Sequence, residues 1–93
     1  NAASTQDMLA MLEAQAFNDE IPAGLPPGTR VAHKTGSITA TLHDAGLVYP
    51  PTRAPYAIAV LTRNIPDQKV AQRLIADCSR IVWEWLATPA RER

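Results

Sequence analysis

Apolar positions along the chain follow two helical patterns separated by three strand-like runs. Met8, Leu9, Met11, Leu12 and Ala16 recur at helical spacing behind Ser4 and Asp7, a serine with an acid three residues on, which predicts a first helix over about residues 4–16. Ile21 to Gly28 holds Pro22, Gly24, Pro26, Pro27 and Gly28, a mixture of fixed and permissive backbone that neither a helix nor a central strand tolerates, so it reads as a stiff loop. Thr29 to Thr35 reads as a strand, with Val31 and His33 alternating with Arg30, Ala32 and Lys34. A second strand is expected over Asp44 to Tyr49. The Pro50 to Pro55 run then leads to a third at Tyr56 to Thr62, whose continuous apolar sequence suits a strand covered on both faces. Val70, Leu74, Cys78, Ile81, Val82 and Trp85 step by three and four, with Asp67 placed to cap and Pro89 just beyond, which predicts an amphipathic helix of about five turns that buries this stripe. Arg73, Asp77, Arg80 and Glu84 share the other side and form a solvated row. The fold class is α+β: an antiparallel three-strand meander flanked by an N-terminal and a C-terminal helix.

Composition narrows the class of function. The chain has 93 residues, 46% hydrophobic and 19% charged, within the range of soluble domains, yet a chain of this length buries only a modest core. Nine basic and nine acidic residues balance, and no segment concentrates one sign, so neither nucleic acid nor a membrane surface is an expected partner. No apolar run approaches the roughly 18 residues of a membrane helix, and Asn1 to Asp7 lacks the character of a signal peptide; a signal of an exported protein would lie upstream of Asn1. The single cysteine, Cys78, excludes an internal disulfide and behaves as a small apolar residue of the last helix. His33, His43, Asp44 and Cys78 lack zinc-like spacing, so no metal and no cofactor is expected.

The chemistry concentrates at Lys34-Thr35-Gly36, a tripeptide that arises by chance in on the order of a few per cent of chains this long. Its setting gives it weight, because it closes a predicted strand and is followed by Ser37, a polar stretch and a second strand able to return beside it. Together with Val31-Ala32-His33, His43-Asp44-Ala45-Gly46, Pro55-Tyr56, the Leu25 to Thr29 turn and the closing helix, this resembles the C-terminal part of class A β-lactamase-like, penicillin-binding serine hydrolases. The resemblance covers nearly the whole chain and implies that residues 1–93 are the C-terminal segment of a larger serine transpeptidase-like domain.

What the resemblance implies for the residues is specific. Lys34 and Ser37 are the catalytic candidates, and Thr35, Gly36 and Ser37 the substrate-binding ones. The Lys34 ammonium sets a positive potential for a substrate carboxylate, and Thr35 donates its hydroxyl to that carboxylate. Gly36 leaves room for a ligand against the backbone, and the Ser37 N–H is one of two oxyanion donors. The implied substrate is a small β-lactam or a peptidoglycan-like peptide, opened through an acyl-enzyme, and the implied location is periplasmic or secreted. Ser4, Ser37 and Ser79 are followed three residues on by Asp7, Ala40 and Val82, so Ser-x-x-Lys is absent, as is Ser-Asp-Asn, and the chain by itself is expected to be inert. Its expected partner is the N-terminal part of the same domain. No arginine lies between Ser37 and Pro51, where several class A enzymes place one against the substrate carboxylate.

The remaining residues read as structural. Adjacent strand residues face opposite ways, so Lys34 and Thr35 reach one cleft only if the strand borders it, and His43 and Asp44 diverge rather than forming a relay. His33 is expected to be a hydrogen-bonded structural histidine, and Asp44 to fix local structure. Trp85 follows the apolar stripe, whereas Trp83 lies off it and is available to the absent part of the domain. Two other functions stay open at this point: a D,D-peptidase-type cell-wall enzyme, and a noncatalytic interaction module.

Overall fold

A computed structural model describes residues 1–93. Helix α1 spans Ala2–Glu13 and a 3-10 turn Ile21–Gly24; strands β1 (Arg30–Ile38), β2 (Thr41–Tyr49) and β3 (Tyr56–Arg63) follow, then helix α2 (Gln68–Ala87) and a 3-10 turn Ala90–Glu92. The strands form one antiparallel sheet in the order β1-β2-β3, which is the expected α+β meander between two helices.

The boundaries differ from expectation where capping and turn chemistry decide them. Helix α1 begins earlier because Asn1, not Ser4, is its cap: the Asn1 Oδ1 accepts from the Ser4 N–H at 2.9 Å, and Ser4 lies inside the first turn. It ends at Glu13, three residues short of the apolar pattern. Strand β1 runs on through Gly36 and Ser37, which pair with His43 and Leu42, and the reversal is made by Thr39 and Ala40 alone. Ala40 has φ 53°, in the left-handed region that glycine or asparagine usually occupies, so the sequence carried no marker of so tight a turn.

The core lies between one face of the sheet and α2. Ile21, Leu25, Val31, Leu42, Val48, Ala71 and Ile75 are buried together, with Tyr56, Ile58, Val60, Ile65 and Trp83 packed around them. Strand β3 alternates in burial and is covered on that face only, so the two-sided covering expected of it is not found. The first 3-10 turn lies so close to α2 that a Cβ on Gly24 would sit 2.0 Å from the Ala76 carbonyl oxygen, and the Ser79 hydroxyl donates to the Ile21 carbonyl at 2.9 Å.

Helix α2 is present and capped by Asp67 as expected, but its phase is different. Ala71, Ile75 and Ser79 face the core, while Val70, Leu74, Ile81 and Trp85 are exposed, Trp85 to 54%. Periodicity identifies residues that share a face; it does not say which face meets the sheet, and the small Ala71 and Ser79 allow the close approach. The tryptophans exchange roles accordingly. Trp83 packs on the core under the Arg53 guanidinium, 4.4 Å from its ring centre, whereas Trp85 lies outside with Arg93 over it.

Ile75 is 0% exposed at the centre of this contact. Ile75→Ala is expected to lower stability by about 2–5 kcal/mol in urea unfolding, and a loss under about 0.5 kcal/mol would contradict this packing.

Candidate active site

Strand β1 is an edge strand, and its open side carries the Lys-Thr-Gly residues. The His33 carbonyl accepts from Gln15 Nε2 at 3.4 Å and the Thr35 carbonyl from Lys34 Nζ at 2.6 Å, both groups lying outside the sheet ladder. Residues two apart in a strand present their backbone groups to the same side, so the Ser37 N–H points to this open edge as well. A cleft of about 340 Å³ runs along it, lined by Lys34, Thr35, Gly36 and Ser37 together with Glu20, and by Gln68 and Gln72 at the start of α2. The four residues singled out in the sequence therefore share one cleft, and the strand borders it, as the alternation argument requires.

Gly36 is constrained differently from the ligand-access argument. A Cβ there would lie 2.3 Å from His43 Nε2, so the imidazole of the facing strand already occupies the space that the glycine leaves.

Beneath the strand lies a buried polar network. Asp44 is 0% and His33 1% exposed, and the His33 Nδ1 lies 2.9 and 3.0 Å from the two Asp44 carboxylate oxygens. Asp44 Oδ2 also accepts from the Ile21 N–H at 3.0 Å. On the other side of the ring, His33 Nε2 is 3.1 Å from Asn18 Oδ1, and Asn18 Nδ2 donates to the Gln15 carbonyl. His43 and Asp44 diverge as expected, and His33 and Asp44 take the structural roles expected of them. Their pairing with each other was not anticipated. A two-residue hairpin at Thr39 and Ala40 sets Thr35 opposite Asp44, and His33 then falls on the same face one diagonal step away. Cys78 is half-buried, and no three His, Cys, Asp or Glu side chains group as metal ligands would.

Glu20 escaped the sequence reading altogether. It is 3% exposed, its Oε2 has no hydrogen-bond partner, and its carboxyl is pushed up from 4.5 to about 7, first by burial and then by the charges of Asp44 and Asp19. Nothing local marked it, since an acid between Asp19 and Ile21 ahead of a proline reads as loop surface.

Residues 1–86 match the β-lactamase enzyme family. The chain belongs to that family. It is 38% identical over 68 residues to a β-lactamase of Bacillus licheniformis, a match covering 71% of this chain and 22% of that protein. Among solved structures, a variant of the TLA-1 extended spectrum β-lactamase superimposes with a TM-score of 0.88 at 29% identity, covering 95% of this chain and 35% of that one. A PBP-A variant captured as an acyl-enzyme complex with penicillin G gives a TM-score of 0.85 at 30% identity, over 91% of this chain and 32% of that one. This β-lactamase-family chain thus spans about a fifth to a third of the length of these relatives, and no helix in it is long and apolar enough to cross a membrane.

The raised Glu20 value has a consequence for stability. The native state keeps a proton that the unfolded chain gives up between about pH 4.5 and 7, so this group's contribution falls as pH rises through that window and is level above it. Screening reduces the effect to on the order of 1–2 kcal/mol, and Glu20→Gln should remove it. Urea unfolding of both forms at a series of pH values checks this; parallel curves would reject it.

Proposed function

We propose that this chain supplies the Lys-Thr-Gly wall of a serine β-lactamase active site, in a domain that opens β-lactam rings through an acyl-enzyme. The observation that carries the reading is the convergence of Lys34, Thr35, Gly36 and Ser37 on one cleft along a free strand edge, in a chain whose sequence relatives are β-lactamases. Lys34 gives the cleft its positive charge, which attracts a substrate carboxylate and favours a polarised nucleophile hydroxyl. Thr35 donates its hydroxyl to that carboxylate. The Ser37 N–H, on the open edge, is one oxyanion donor, held ready by the strand so that little reorganisation accompanies the development of charge.

The nucleophile and the second oxyanion donor come from outside this chain, which has neither Ser-x-x-Lys nor Ser-Asp-Asn. We infer that the partner supplying them is the N-terminal part of the same domain. The exposed apolar row Val70, Leu74, Ile81 and Trp85 on α2 and the unpaired outer edge of β3 are surfaces such a partner would cover. Export to the periplasm or medium, where β-lactams act, accords with this role. The β-lactamase relatives favour hydrolysis with turnover over the cell-wall peptidase alternative.

In the protein carrying the complete domain, Lys34→Ala is expected to lower kcat/KM for a chromogenic cephalosporin by about 10²-fold or more, with unfolding unchanged. Unaltered hydrolysis would remove the role of Lys34. A wild-type domain that stops at a long-lived acyl-enzyme after one equivalent would favour the peptidase reading.

A further inference from the structure

The cleft along β1 holds one cation and one acid, Lys34 and Glu20; its other lining side chains, Gln68 and Gln72 among them, are neutral. The two do not form an ion pair. The Lys34 ammonium turns to the Thr35 carbonyl, and Glu20 Oε2 is enclosed without a partner. The formal charge of the cleft is therefore +1 when Glu20 carries a proton and zero when it does not. Among the residues this chain contributes to the lining no second cation is present, and β2 adds only Leu42.

We propose that Glu20 is a specificity-determining residue of this cleft, whose ionisation state sets how tightly the anionic group of a substrate is held beside Lys34. A neutral Glu20 leaves the Lys34 charge unopposed and admits a carboxylate; an ionised Glu20 cancels that charge and discriminates in favour of neutral ligands. This rests on Lys34 to Ser37 being the anion-holding wall. The groups that bear on Glu20 come from every side of it. Asp44 on β2 and Asp19 on its own segment favour its neutral form, and Lys34 on β1 is the one cation this chain adds to the lining. His33 reaches it only through Asp44, and α2 presents amides. Burial is the largest cause and the two acids add to it, and together they put the transition near neutral pH.

The test uses the protein carrying the complete domain and two probes, a cephalosporin with a free carboxylate and its methyl ester. Over about pH 5.5–8.5, KM for the carboxylate is expected to rise about 3- to 10-fold while KM for the ester stays level, the scale of one unit charge acting across a partly solvated cleft. In Glu20→Gln the carboxylate KM is expected to stay low and level. Matching pH profiles for carboxylate and ester in the wild-type protein would overturn the proposal without recourse to any variant, and so would a Glu20→Gln protein that keeps the rise. Lys34→Ala separates the two levels of inference. If it leaves hydrolysis intact, the anion-holding wall itself is wrong; if it abolishes hydrolysis while Glu20→Gln keeps the wild-type profile, only the role of Glu20 is removed.

Discussion

A carboxylate taken out of water costs several kcal/mol unless its oxygens are occupied, and Asp44 is wholly buried. Its oxygens are met by the His33 imidazole from β1 and by the Ile21 N–H at the start of the first 3-10 turn. Three segments are thereby tied at one point: the 3-10 turn, the Lys-Thr-Gly strand and the strand that pairs with it. Such an arrangement has little tolerance for slippage, because a one-residue shift in β2 would turn Asp44 to the opposite face and leave His33 Nδ1 and the Ile21 N–H without their partner. The register that places Lys34 to Ser37 is held by this carboxylate as well as by the strand ladder.

The same link shapes the electrostatics above it. Bringing Ile21 down to Asp44 brings Glu20 with it, into a wall of the cleft and within range of the Asp44 charge. Burial and, after it, the nearby acids disfavour the ionised form of Glu20. Its Oε2 has no hydrogen-bond donor, and the carboxyl is pushed up to about 7. A structural tie beneath the strand and a titrating group beside it are consequences of one contact.

Family membership and incomplete coverage of the relatives fit the surfaces seen here. The sheet has its core on one face, and α2 carries both a buried stripe of small and medium residues and an exposed stripe of large apolar ones. A helix apolar on two sides is built to lie between two layers. The cleft has one wall built from β1 and a second from the start of α2.

The legible part of the fold was the part governed by local chemistry. Strand alternation, proline and glycine punctuation, the Asp67 cap and the apolar repeat of α2 set the element types and the meander, and Lys34-Thr35-Gly36 with its flanking turns pointed to the family from sequence alone. What the tertiary structure decided depends on distances between segments. It chose which face of α2 meets the sheet, so Trp83 and not Trp85 packs on the core. It closed the hairpin on Thr39 and Ala40, residues with no turn signature, and so aligned His33 with Asp44. It also buried Glu20 beside Lys34 in the cleft, although the linear order gave that acid the appearance of loop surface. Local pattern is sufficient to state what a segment forms, but burial and charge at a site are sums over neighbours that only folding brings together.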